Sequence, residues 1–197
     1  MVHSHDGDTL QLWMLAALWF SMMAVMMAPA VWPWIRAFHR FAAGESSLGA
    51  TVQFTAGYLV AWLGYSLGAA ALQAGIAGSV AARWRVALFA IAGFYQFAPL
   101  KRACLTHCRS PLTYFLTRWR SGRNAAMQMG LHHGLFCVGC CWALMLTMLA
   151  VGVTSLLWMA ALGSGAAIEQ IWRHGHRLRA PIGVALVAVA LWQLTTG

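Results

Sequence analysis

Charge is scarce in this chain. Of 197 residues only 9% are charged, and the acids number four against 13 Lys and Arg, while 61% are hydrophobic. A soluble domain carries about 25% charged residues, and one small domain cannot bury this much apolar surface in water. The solvent expected from this composition is lipid. No catalytic acid/base pair, Ser/His/Asp set or nucleotide-binding loop is visible, so the reading leans away from an enzyme. There is no soluble domain, low-complexity tail or internal repeat, which leaves a transporter of inverted repeats unsupported. The N-terminus, MVHSHDGD, has no Lys or Arg, and a signal peptide needs a positive start. The triplet Ala28-Pro29-Ala30 resembles a cleavage site, but no cleavage is expected. Basicity could suggest nucleic acid, yet the basic residues fall between long apolar runs, as membrane topology demands; no nucleic-acid partner is expected.

What is present are apolar runs near the ~20 residues that a spanning helix needs. The fold class expected is all-α, a polytopic transmembrane helical bundle in a single domain over 1–197. Six spans are read, at about 10–34, 52–76, 84–100, 125–150, 154–171 and 181–194, the third and sixth being short. The charge-poor run from 125 to 171 exceeds one span and is split near Val151-Gly152-Val153-Thr154. A five-helix alternative lays the last segment in the interface. Connections one, three and five carry Arg36, Arg40, Lys101, Arg102, Arg109, Arg118, Arg120, Arg123, Arg173, Arg177 and Arg179, whereas the other side has Arg83 and Arg85. The positive-inside rule then puts the odd loops in the cytoplasm and both termini outside. Trp32, Trp34, Trp84, Trp119 and Trp172 read as an interfacial belt, and Gly64 with Gly68 as a close helix contact.

The fourth span contains GLHHGLFCVGCCWALM, residues 130–145. Residues three and four apart share a helix face, so Met129, His133, Cys137, Cys140, Cys141 and Met145 lie within about half the circumference at ~100° per residue; His132 points elsewhere. Thiolate, thioether and imidazole form a soft donor set suited to Cu(I), with zinc as the alternative. Incidental packing is the competing reading for a lone Cys, but ionisable residues at membrane depth are functional by default, and three cysteines here follow a His by one turn. A thioredoxin-like dithiol is the weaker option, because such motifs occupy exposed helix N-termini.

A second group, Cys104, His107 and Cys108, lies in YQFAPLKRACLTHCRSP. It shares one face if the helix continues past Lys101 and stops at Pro111, and is read as an inner site at the cytoplasmic boundary. Met22, Met23, Met26 and Met27, in MMAVMMAP, are secondary candidates with Met129 and Met145, either packing or passing Cu(I) along. Soft ligands at several depths hint at a relay. Glu169, the lone acid deep in an apolar run, is expected to pair with Lys101 or Arg102. His3, His5, Asp6 and Asp8 could collect a metal outside.

These segments, MMAVMMAP, YQFAPLKRACLTHCRSP and GLHHGLFCVGCCWALM, resemble the signature blocks of a bacterial family known as predicted metal-binding integral membrane proteins, a domain of unknown function. The blocks occur in the family's order. The family's Cys and His fall on Cys104, Cys108, His133, Cys137, Cys140 and Cys141; His107 is family-like and His132 is extra. Ala28 stands where the family often has Leu, and Glu169-Gln170 where a Glu-Lys pair is usual. The resemblance implies a metal but no established activity. The expectation is a multi-pass protein of the bacterial inner membrane, termini periplasmic, that binds copper for handling or delivery, its partners being the bilayer and a copper-receiving protein. The alternatives are an accessory subunit of a larger membrane complex and a thiol-redox or haem-linked membrane protein.

Overall fold

The computed structural model describes residues 3–42, 47–76, 82–120, 122, 124–152 and 154–196. The side chains of His3, His5, Asp6 and Asp8, and Arg123 and Val153 altogether, lie outside the described residues. All regular structure among those described is helical: α1 (His3–Phe41), α2 (Ser47–Ile76), α3 (Ala82–Tyr95), α4 (Pro99–Cys108), α5 (Pro111–Arg118), α6 (Ala125–Leu146), α7 (Met148–Val151), α8 (Leu156–Ile171), a 3₁₀ turn (Gly175–Leu178) and α9 (Arg179–Thr196).

Four stretches are long and apolar enough to cross a membrane: Thr9–Phe41, Ser47–Ile76, Ala125–Val151 and Gly175–Thr195. The expectation of six full spans is not supported: four helices have the length and apolarity to cross, while Trp84–Tyr95 and Leu156–Ile171 are shorter. The last helix is longer than expected because the 3₁₀ turn leads straight into α9, whose Pro181 falls in the first turn, where a proline costs no hydrogen bond. The first helix also outruns its expected end, continuing through Pro29 and Pro33 to Phe41.

The third expected span is divided. Ala98, which precedes Pro99, has extended backbone at φ −61°, ψ 139°, because the proline ring disfavours helix in the residue before it. The chain turns at 96–98 and restarts at Pro99 as α4. Together α3 and α4 run antiparallel to α6: Tyr95 donates a hydrogen bond to the Gly139 carbonyl and stacks edge-on to Trp142, while His107 stacks on Phe136 at 4.0 Å. This break lays α4 along the interior stretch of α6. After α7 the chain leaves helix at Gly152, whose φ of +97° suits only glycine.

The most extensive interface joins α2 to α6, followed by α1 with α2 and α3 with α9. Glycine makes the first possible. A Cβ on Gly130 would strike the Phe54 carbonyl group, 2.7 Å from its carbon; one on Gly57 would come 2.8 Å from Leu131 N, and one on Gly134 2.7 Å from Ala61 Cβ. The pair expected to be in contact, Gly64 and Gly68, has nothing within 4 Å of either added Cβ. The close approach lies one to two turns earlier on α2, on the face that α6 covers. Gly130→Ala is therefore expected to destabilise the fold by about 1–3 kcal/mol through overpacking against backbone, whereas Gly64→Ala is neutral or stabilising. Thermal unfolding of the two variants in detergent checks this; equal melting would contradict it.

Of the expected tryptophan belt, Trp32, Trp84, Trp119 and Trp172 are exposed, but Trp34 is buried at the centre of the bundle. The chain's only lysine, Lys101, is also buried. Its Nζ lies 2.6 Å from Glu169 Oε2 and donates to Gln96 Oε1, joining α4 to α8.

Candidate metal centre

Cys137, Cys140 and Cys141 occupy the inward face of α6, and their sulfur atoms all lie within 4.8 Å of one another. Helix geometry builds this: thiols at i+3 and i+4 reach back over the preceding turn. Cys140 Sγ and Cys141 Sγ both donate to the Cys137 carbonyl, at 3.1 and 2.8 Å. The residues that close around them come from elsewhere in the chain. From α4, Cys108 Sγ stands 4.0 Å from Cys140 Sγ, and from α1, Met27 Sδ stands 3.9 Å from Cys141 Sγ. The Tyr58 hydroxyl of α2 is 3.5 Å from Cys137 Sγ, and Gln170 Oε1 of α8 accepts from the same sulfur at 3.7 Å. All five cysteines are free thiols and buried; the 4.0 Å Cys108–Cys140 separation is far beyond a disulfide bond of about 2.05 Å.

His133 sits one turn before Cys137. Its ring stacks on Trp34 at 3.7 Å, tilted by 18°, and lies 5.6 Å from the Tyr58 ring. Both ring nitrogens are buried with no hydrogen-bond partner, as is His107 Nε2. Leaving a buried polar group unpaired costs about 1–3 kcal/mol, so an imidazole held this way is an expensive choice for packing alone. Trp34 Nε1 in turn donates to the Cys108 carbonyl at 2.8 Å, pinning the end of α4 against α1.

The expected ligands therefore do not divide into an inner and an outer group. Cys108 joins the α6 thiols directly. Cys104 flanks them: an added Cβ on Gly139 would come 2.9 Å from its sulfur. His107 and His133 lie beside the thiols with ring centroids 6.3 Å apart. Met22, Met23 and Met26 are buried along α1, with Met26 packed 3.5 Å from the position of a Gly163 Cβ. Met129 and Met145 are buried on α6. Among the described residues, Met27 is the methionine whose sulfur touches a thiol of the cluster. His132, set aside in the sequence, faces His107 at 5.4 Å.

Tyr58, Gln170 and Trp34 were not read as site residues. No spacing marks them, because they come from three separate helices: Tyr58 and Gln170 meet the Cys137 thiol, and Trp34 meets the Cys108 carbonyl and the His133 ring.

The donor chemistry fits a soft monovalent ion. Thiolate and thioether select Cu(I), and hard cations need oxygen ligands in numbers that the cluster does not offer among the described residues. A buried monovalent ion also needs fewer deprotonated thiols for neutrality than zinc does, and the one buried lysine is already paired with Glu169.

No curated protein and no solved structure matches the chain. Residues 16–193 match the family described as PpoB2, copper chaperone. The match runs from α1 into α9 and takes in every thiol of the cluster, naming copper where the motif resemblance implied only a metal. With its buried cysteine cluster and a match over nearly its full length, the chain belongs to the PpoB2 copper chaperone family.

Proposed function

We propose that this protein is an integral membrane chaperone that holds Cu(I) within the helical bundle and hands it to a copper-receiving protein. Cys137, Cys140 and Cys141 hold the ion, with Cys108 and Met27 completing a set of sulfur donors. The observation that carries the reading is the convergence of four thiols and a thioether from α1, α4 and α6 in a buried space. Bound copper is cargo. It arrives and leaves by ligand exchange as Cu(I), and each thiol that becomes a thiolate releases a proton.

The bilayer reading rests on the four long apolar helices and on the many large apolar side chains they expose, such as Leu10, Trp13, Leu48 and Trp192. The broken pair α3–α4 would make a further crossing, its turn sheltered by protein, where non-helical backbone is tolerated at membrane depth. The short α8 would make another with local thinning of the bilayer. Basic connections then face the cytoplasm of a bacterial inner membrane, with both termini periplasmic. Alkaline carbonate washing of membranes containing the protein is expected to leave it in the pellet, and release into the supernatant would contradict this placement. Handing-off is checked with the Cu(I)-loaded protein and a copper-free acceptor of higher affinity; copper that stays bound until the protein is denatured would contradict a chaperone role.

A further inference from the structure

We infer that three histidines form a route for Cu(I) between a surface cavity and the thiol cluster, a route that rests on the copper reading above. A cavity of about 450 Å³ opens where α5 meets the start of α6, lined by Tyr114, Arg118, Arg120, Met129 and His132 among others. From His132 the imidazoles continue inward: His132 to His107 at 5.4 Å between ring centroids, His107 to His133 at 6.3 Å. The last step, from His133 to Cys137, is one helical turn, where neighbouring side chains start about 5–6 Å apart.

The spacing suits a metal passed from ring to ring. With metal–nitrogen bonds of about 2.0 Å, two rings sharing one ion have centroids roughly 6 Å apart once their own radii are added. The inner two rings also have nitrogens to offer, since His133 Nδ1 and Nε2 and His107 Nε2 are buried without partners. At the outer end the Tyr114 hydroxyl lies 3.3 Å from His132 Nδ1. Its oxygen can accept the Nδ1 hydrogen and leave Nε2 open, the arrangement by which an outer partner orients a metal-binding imidazole. Met129 adds a thioether at the cavity wall.

The mouth is cationic. Among the described residues neither Arg118 nor Arg120 has an acidic partner, and Arg120 donates only to Gln128 Oε1. A bare cation is repelled there, whereas Cu(I) carried in an anionic complex is drawn in. The carrier's ligand is displaced by the His132 nitrogen lone pair. Copper remains Cu(I) at every exchange, and the proton leaves only when a thiol takes the ion.

The test loads the full-length protein anaerobically in detergent from the anionic Cu(I) bis-bicinchoninate complex, following the fading colour for rate and copper content for endpoint. His107→Phe and His132→Phe keep an aromatic ring in place, so stacking on Phe136 persists while the nitrogens are lost. Each is expected to slow loading by about tenfold, a barrier increase of ~1.4 kcal/mol, with the final copper content unchanged. His107→Met restores a soft donor and is expected to recover most of the rate, which a purely structural histidine would not allow. Histidine variants that load at the wild-type rate would overturn the route and leave the thiol site standing. Variants that reach a lower endpoint would also overturn it, by placing the imidazoles in the resident site. A wild type that takes up no Cu(I) would sink the thiol site and the route together.

Discussion

Serine at Cys137, Cys140 and Cys141 together is expected to cut the copper held by the purified protein from near-stoichiometric to background. Oxygen in place of sulfur removes the soft donors that select Cu(I). The substitution is otherwise gentle. Serine is close to cysteine in size, and hydroxyls at 140 and 141 can still donate to the Cys137 carbonyl as the thiols do. Folding should therefore survive, and unchanged helicity and monodispersity would confirm that lost copper reflects lost ligands. Cys108→Ser alone should weaken binding without abolishing it, since Cys108 joins a trio that is already mutually close. Metal analysis by mass spectrometry reads both variants. Copper retained by the triple variant, or zinc in place of copper in the wild type, would contradict the assignment.

The second large effect concerns Lys101 and Glu169. Lys101→Leu leaves a buried carboxylate whose Oε1 has no partner even in the intact protein. Breaking a buried pair from one side costs about 3–5 kcal/mol, while replacing both partners by apolar residues is often neutral. The single variant is thus expected to lose much of its stability, and Lys101→Leu combined with Glu169→Leu to regain most of it. Denaturant unfolding of the single and double variants in detergent measures the coupling. Additive losses would show that the two charges act independently. Because the pair ties α4 to α8, the single variant should also loosen the seat of Cys108 and weaken copper binding. No such weakening would mean that α4 is held by its other contacts, among them the Trp34 hydrogen bond to the Cys108 carbonyl.

Local patterns carried much of this in the sequence. The stripe of Cys137, Cys140 and Cys141 was legible because helical spacing alone puts such residues on one face. The break after α7 was marked by Gly152, and the end of α4 by Pro111, which opens α5. What the sequence could not show is which faces meet. Cys108 and Cys140 are far apart in the chain, and their contact depends on the turn at 96–98 that lays α4 along α6. Pro99 was a signal for that turn, since the residue before a proline avoids helix, but the apolar run conceals it by continuing to Leu100. The glycines teach the same lesson. Gly64 and Gly68 have the spacing of a close contact, as do Gly130 and Gly134, yet only the second pair meets another helix. Trp34 looked like a boundary tryptophan because of its place beside Pro33, and only the assembled bundle puts it against His133.

In the proposed function, buried cysteines of α6 hold Cu(I) through sulfur. X-ray absorption at the copper edge of the anaerobically loaded wild-type protein tests it most directly. The expected spectrum shows reduced copper with a shell dominated by sulfur, and loses that shell in the triple serine variant. Oxidised copper with only nitrogen and oxygen neighbours would contradict the claim.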